Sequence, residues 1–312
     1  MIQIERYQSS LKSVWDNFNE QALNGTFFFN RNFIEYHGER FTDHSLLFYL
    51  NDQLVALLPL HEKDGVVASH LGLSFGGILV SRKVDTLLML RLFEKLVDYL
   101  KIQHFHSFVY KPQPYIYLPQ PAQEDLFALY QFGAQLTQRA NISVLDVTGP
   151  SHYSKLRQRC LKEAQKNQIT VAISDKVKEF MQLVENIYLT AGIDSPTHTV
   201  SEIQLLTKLF PEHITLWAAH LGEELVGGLI LFDHRQVVNL QYIATSLKGR
   251  QLHALDLLVH SVIQQYKNQK KYLSFGTSHD ERKPYGLSHN LLRNKISYGT
   301  RTVVQDTYQL TL

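Results

Sequence analysis

The stretch Gln241-Tyr242-Ile243-Ala244-Thr245-Ser246-Leu247-Lys248-Gly249-Arg250-Gln251-Leu252-His253-Ala254 combines residue types that suit an anion site. A β-rich run enters a short segment bearing one glycine and two cations, and small Ala254 opens an amphipathic run. Free N–H groups and the positive end of a helix favour phosphate at such a place. Lys248 and Arg250 would add charge-assisted hydrogen bonds. Each dipole or surface-charge contribution is about 0.3–1 kcal/mol, so several must converge. A plain strand-to-helix turn has much the same composition. His198 directly precedes the capping box Thr199-Val200-Ser201-Glu202. The positive helix end there favours a neutral imidazole, the form that can take a proton. Cys160 lies among Arg157, Arg159 and Lys162, which lower a thiol pKa, although a helix-face cysteine without a histidine partner is more often structural. The 15 histidines include His104-x-His106, but there is no His-Glu-x-x-His and no cysteine pair. No metal site is expected.

These residues need a frame. In the second half, a helix is expected from Ser174-Asp175 through Phe180, Leu183, Val184 and Ile187, and another from the capping box to Pro211. Ile214–His220, Leu225–Phe232 and Val237–Thr245 read as an antiparallel meander with polar turns. A long helix over Leu255, Leu258, Val259, Val262 and Ile263 follows. Then come a strand at Tyr272–Thr277, a short helix at Asn290–Ser297 and a last strand at Val303–Leu310.

The first half repeats this order. Helices around Leu11–Leu23 and Arg31–Glu39 precede strands at Ser45–Leu50, Leu54–His61 and Val66–Leu73. A helix at Thr86–Leu100, a strand at Phe105–Tyr110, a helix at Glu124–Gln135 and a strand at Asn141–Val147 complete it. Leu54-Val55 matches Leu225-Val226, and Phe108 matches Phe275. The pattern predicts a tandem duplication, with domains at 1–150 and 151–312 and a charged linker helix over Ser151–Thr170.

With 312 residues, two domains are the default. A net charge of +2 without a dense Lys/Arg run argues against nucleic acid as a partner. One cysteine excludes an intramolecular disulfide and suits a reducing compartment. The N-terminus lacks the pattern of a signal peptide, and no apolar run is long enough to span a bilayer. A cytoplasmic protein without membrane association is expected.

The element order helix, helix, three-stranded meander, loop-helix, strand, helix, strand resembles the GNAT N-acyltransferase superfamily. Arg40-Phe41-x-Asp43-His44-Ser45, the Gly-rich Ser69-His70-Leu71-Gly72-Leu73-Ser74-Phe75-Gly76-Gly77 and Lys295-x-x-Tyr298-Gly299-x-Arg301 resemble its tandem, Fem-like branch. Within that branch the chain most resembles the nucleotide-linked amino-sugar N-acyltransferases, including those of lipopolysaccharide O-antigen chemistry. The implied fold is α/β (α+β): two tandem GNAT-like domains, each a mixed, largely antiparallel sheet flanked by helices.

The resemblance implies an acyl-coenzyme A donor. Its pantetheine would run along Tyr242, Ile243 and Ala244 like an added strand. Its pyrophosphate would meet Lys248, Gly249, Arg250, Gln251, Leu252, His253 and Ala254, although Gly249 and Ala254 are more widely spaced than in the family pattern. The first half lacks this loop and is expected to serve the acceptor, a nucleotide-linked amino sugar. The candidate acceptor residues are Tyr36, His37, Arg40, His70, Ser74, Phe75, Lys111 and Gln241. His198 is the expected general base, an N–H near Ile243 the oxyanion donor, and Tyr285 the acid for the thiolate, with Tyr298 behind it. Two alternatives stand beside this one: a Fem-like transferase using aminoacyl-tRNA, and a non-catalytic protein retaining a coenzyme-like groove.

Overall fold

A computed structural model describes residues 1–312 except His70, Ser151, Ile193 and Asp194, and except the side chain of Glu39. The chain divides into two compact units, Met1–Ala140 with Val304–Leu312 and Asn141–Val303. The expected break at 150/151 therefore falls ten residues earlier, and the chain end does not stay with the second half. Its last strand pairs antiparallel with Ser107–Tyr110, from Tyr308↔Tyr110 to Thr311↔Ser107. Among the described residues no helix is long and apolar enough to cross a membrane.

In the second unit the meander forms as expected: Ile214–Leu221, Glu224–Asp233 and Val237–Thr245 pair antiparallel in sequence order. Val237–Thr245 then runs parallel to Tyr272–Thr277, which pairs antiparallel with residues 142–146. Leu258, Val259, Val262 and Ile263 of the helix Ala254–Tyr266 bury one stripe against this sheet. Each such side chain contributes about 1.5–3 kcal/mol. Thr199 and Glu202 make the full capping box of the helix Val200–Leu209.

Two local expectations need correction. The segment expected as a linker helix is a helix only over Lys155–Ala164, after which Ile169–Ser174 forms an edge strand on Ile214–Leu221. The alternation Ile169, Val171, Ile173 carried the strand signal, and Ile173 lies 64% exposed on the open edge. The next helix is Val177–Ala191, without a side-chain cap from Ser174 or Asp175; the Ser174 hydroxyl instead accepts from the Lys176 N–H in the preceding turn.

The first unit holds the same motif in shorter strands. Leu46–Leu50 and Gln53–Leu58 form a hairpin flanked by Ile2–Arg6 and Leu79–Val80. His61–Lys63 turns back into Val66–Ala68, which runs parallel to Ser107–Tyr110. Asp85 caps the helix Thr86–Ile102 by accepting from the Leu88 N–H, and Leu88, Met89, Leu92, Phe93, Leu96 and Leu100 fill the core. In each unit the parallel register covers three residue pairs: Val66↔Ser107 to Ala68↔Val109, and Val237↔Tyr272 to Asn239↔Ser274. Beyond them the two strands separate.

In the first unit the chain fills its own separation. The Gly76 N–H donates to the Lys111 carbonyl at 2.8 Å, the Lys111 N–H to the Ser69 hydroxyl at 2.8 Å, and the Ile78 N–H to the Tyr110 hydroxyl at 2.9 Å. Phe75 is buried beside Tyr117, Phe28 and Phe29. A Cβ at Gly76 would lie 2.5 Å from the Ser69 carbonyl oxygen. Gly76→Ala should therefore destabilise the protein by about 1–3 kcal/mol through overpacking. The check is a lower urea midpoint at an unchanged denaturant slope.

Candidate active site

In the second unit the separating strands leave a different arrangement. Beyond Asn239, the edge of Val237–Thr245 that faces away from Glu224–Asp233 has no strand partner among the described residues. The opposite edge is fully paired, with one irregularity: Ile230 pairs with Tyr242 but Leu231 with Leu240, so Gln241 is an extra residue. Such a bulge flips the alternation of the strand. Val238, Leu240 and Ile243 share the face packed on Ala254–Tyr266, whereas Tyr242 turns to the other side. There its hydroxyl meets His198.

His198 is buried, with its backbone N–H donating to the Tyr242 hydroxyl at 3.1 Å and its Nδ1 2.7 Å from the same oxygen. A hydroxyl that accepts from the backbone can still donate its own proton to Nδ1. The reverse tautomer, with Nδ1–H donating to the tyrosine, carries the basic lone pair on Nε2. Burial pushes the Tyr242 phenol up to about 12, so it remains a hydroxyl throughout the physiological range. Gln241 accepts from the Asn239 side-chain amide at 3.0 Å.

The expected anion loop is partly corrected. Ser246 caps a short helix, Leu247–Gln251, by accepting from the Gly249 N–H at 3.0 Å. A Cβ at Gly249 would sit 2.0 Å from the Val226 carbonyl oxygen, so this glycine permits helix–strand contact rather than phosphate approach. Lys248 is ion-paired with Glu224. Leu252 accepts from the Asn167 amide through its carbonyl, and Gln251 is exposed. His253 then adopts a left-handed conformation (φ 56°) and starts Ala254–Tyr266. That kink leaves the Ala254 and Leu255 N–H groups without a protein partner among the described residues. Arg250 is exposed and has no ion-pair partner among them.

Several residues land elsewhere. Tyr285 is 91% exposed, at φ 58°, and nothing among the described residues holds its hydroxyl. Tyr298 is buried in a stack on Phe275, with Arg157 4.4 Å above its ring centre and its phenol pushed well above the ordinary value by burial. Arg157 is no solvated cation: it donates to Asp256 at 2.9 Å and to Ser297 at 2.7 Å. Cys160 is buried, and desolvation raises its thiol pKa in spite of the nearby cations.

In the first unit Phe75 is core, His37 is buried against Tyr36 and Phe41, and Lys111 is half-buried with its pKa drawn down by desolvation. Arg40 and Ser74 are exposed, and the Ser74 carbonyl accepts from Gln305. His70 lies outside the described residues.

Lys295 is the residue that pattern reading missed. Its buried ammonium donates to the Gly276 and Thr277 carbonyls at 3.1 and 2.6 Å, where the strand has parted from its neighbour. The motif Lys295-x-x-Tyr298-Gly299-x-Arg301 marked its position but not this role, because its partners are backbone atoms of a separate strand.

Residues 151–285 match the acetyltransferase (GNAT) domain family. Among curated protein sequences none matches the chain. Among solved structures it is similar to FemX, with a TM-score of 0.74 at 10% identity, covering 99% of this chain and 97% of that one. It is also similar to L-PGS from Bacillus licheniformis, with a TM-score of 0.62 at 11% identity over 96% and 91% of the two chains. A tandem GNAT protein from the clavulanic acid biosynthesis pathway aligns with a TM-score of 0.52 at 10% identity over 100% and 98%. The fold is thus mixed α/β with sheets flanked by helices, built from two units and similar to that of a tandem GNAT protein.

Burial lowers the Lys295 pKa from 10.5 to about 8. Between those values the unfolded chain binds more protons than the folded one, so stability rises with pH across that window. The rise should be on the order of 2–3 kcal/mol for a group so buried. It should vanish in Lys295→Met, and chemical denaturation of both proteins from pH 8 to 10.5 measures the difference.

Proposed function

We propose that this protein is an N-acyltransferase that moves an acyl group from acyl-coenzyme A to the amine of a nucleotide-linked dideoxyamino sugar. The observation that carries the donor half is the unpaired backbone edge of 240–245, continuous with the free Ala254 and Leu255 N–H groups. Pantetheine amides fit such an edge by strand addition. The pyrophosphate fits the helix start, with Arg250 as the available cation. The matching opening in the first unit is filled by Phe75 to Ile78, which supports donor binding by the second unit alone.

The neutral amine attacks the thioester carbonyl carbon, and a backbone N–H at Ile243 steadies the oxyanion. As the carbon–sulfur bond breaks, His198 takes the surplus ammonium proton at Nε2, in the tautomer whose Nδ1–H donates to Tyr242. No described residue holds the hydroxyl of exposed Tyr285, so we assign it no proton transfer, and the thiolate is protonated from solvent. The sugar acceptor rests on the resemblance of the sequence to enzymes of that class.

The test is a mass-spectrometric screen of acyl-coenzyme A donors against nucleotide-linked amino sugars, with coenzyme A binding followed by calorimetry. An amide product is expected, together with weaker coenzyme A binding by Arg250→Glu at unchanged thermal stability. Transfer that requires aminoacyl-tRNA, with no sugar product, would replace this reading by the Fem-like one. An unchanged dissociation constant for Arg250→Glu at low salt would remove the pyrophosphate from this helix start.

His198→Ala should cut turnover by at least about 10²-fold while leaving donor affinity intact, since general-base catalysis typically supplies 10²–10⁴-fold. Activity should recover partly as pH rises, because more of the amine is then already neutral. A loss below about tenfold with an unaltered pH–rate profile would return His198 to a packing role.

A further inference from the structure

The face shared by the helices Lys155–Ala164 and Ala254–Tyr266 carries three side chains of different donor chemistry. One ligand atom each from Cys160, His253 and Asp256 lies within 4.8 Å of the other two. A tetrahedral cation with bonds of about 2.0–2.3 Å holds its donors roughly 3.3–3.8 Å apart, so closing onto an ion needs movements of no more than about 1 Å. Glu163 is one helical turn beyond Cys160, and its Oε2 is 3.5 Å from the His253 Nε2. Cys160 and Glu163, one turn apart on Lys155–Ala164, thus lie beside His253, the left-handed residue that precedes Ala254–Tyr266, and Asp256 in its first turn.

We propose that Cys160, His253, Asp256 and Glu163 bind a divalent cation of the zinc class. Sulfur, nitrogen and oxygen donors in one set select a borderline-soft ion over magnesium or calcium, which take oxygen alone. The charges balance: thiolate and two carboxylates against the dication and Arg157. Arg157 donates to Asp256 Oδ1 at 2.9 Å, which leaves the second carboxylate oxygen for the ion. Hydrogen bonding of a ligating carboxylate by an outer partner is the usual way such a ligand is oriented. His253 is held in the left-handed conformation, uncommon for a non-glycine residue, and this sets its ring beside the thiol. On binding, the Cys160 thiol releases its proton to solvent. The site does not depend on the acyl-donor reading.

The chain has a single cysteine, so any thiolate–metal signal reports on this site alone. The untagged full-length protein, freed of metal by chelation and dialysis and without coenzyme A present, is titrated with Co²⁺ and then with Zn²⁺. The expected result is one Co²⁺ per chain, with a thiolate-to-cobalt charge-transfer band and strong visible bands of tetrahedral type, displaced by zinc. Cys160→Ala should abolish the charge-transfer band. His253→Asn, which keeps a residue tolerant of the left-handed conformation, should weaken Co²⁺ binding by about 10–100-fold or more. If Cys160→Ala does not fold, the histidine variant decides. Absence of the charge-transfer band in the wild-type protein, its persistence in Cys160→Ala, or unchanged affinity in His253→Asn would overturn the proposal and leave Cys160 a small buried apolar residue.

Discussion

When two parallel strands separate after three paired residues, the peptide groups beyond the fork lose their partners, and buried peptide groups do not stay unpaired without cost. That constraint shapes both units. In the first, Gly76, Ser69 and Tyr110 bring hydrogen bonds to the fork and Phe75 seals it with aromatic packing. In the second, the buried ammonium of Lys295 takes the Gly276 and Thr277 carbonyls on one arm, while the other arm keeps its edge free. The two units thus end in one self-filled fork and one whose edge has no strand partner among the described residues.

The same fork explains the placement of His198. A regular strand would put Tyr242 on the face of Val238 and Leu240; the extra residue Gln241 turns it to the opposite face, where its hydroxyl meets both the backbone N–H and the ring of His198. Beyond the bulge the strand enters two helices separated by the left-handed turn at His253. Gly249 lets the first of these helices lie directly on the Val226 carbonyl, a contact that any side chain would block. Glycine in an anion-binding pattern and glycine in a close packing contact look identical in sequence, so only the neighbouring carbonyl separates the two roles.

Charged residues show the reach and limit of local reading most clearly. Arg157 reads as one of several cations on a solvated helix, yet it is half-buried between Asp256, Ser297 and the face of Tyr298. Lys248, expected beside a phosphate, is engaged with Glu224, whereas Arg250 two residues later is available. Helical periodicity places these residues one or two positions apart on a surface, but the partner that claims each charge lies on another element.

By itself the sequence determined the antiparallel meander of the second half, the capping box at Thr199 and the apolar stripes of the long helices, because these follow from local period and capping chemistry. It also determined that the second half, not the first, ends its parallel strand in a cationic turn into a helix. The tertiary structure alone decided where the chain end pairs, which strand Ile169–Ser174 joins, and that Phe75 fills a fork. It also decided that Lys295 grips two carbonyls and that Cys160, His253 and Asp256 converge, with Glu163 beside His253. Those outcomes depend on partners far apart in the chain, often backbone atoms that every residue type carries, and such partners leave no mark on residue order.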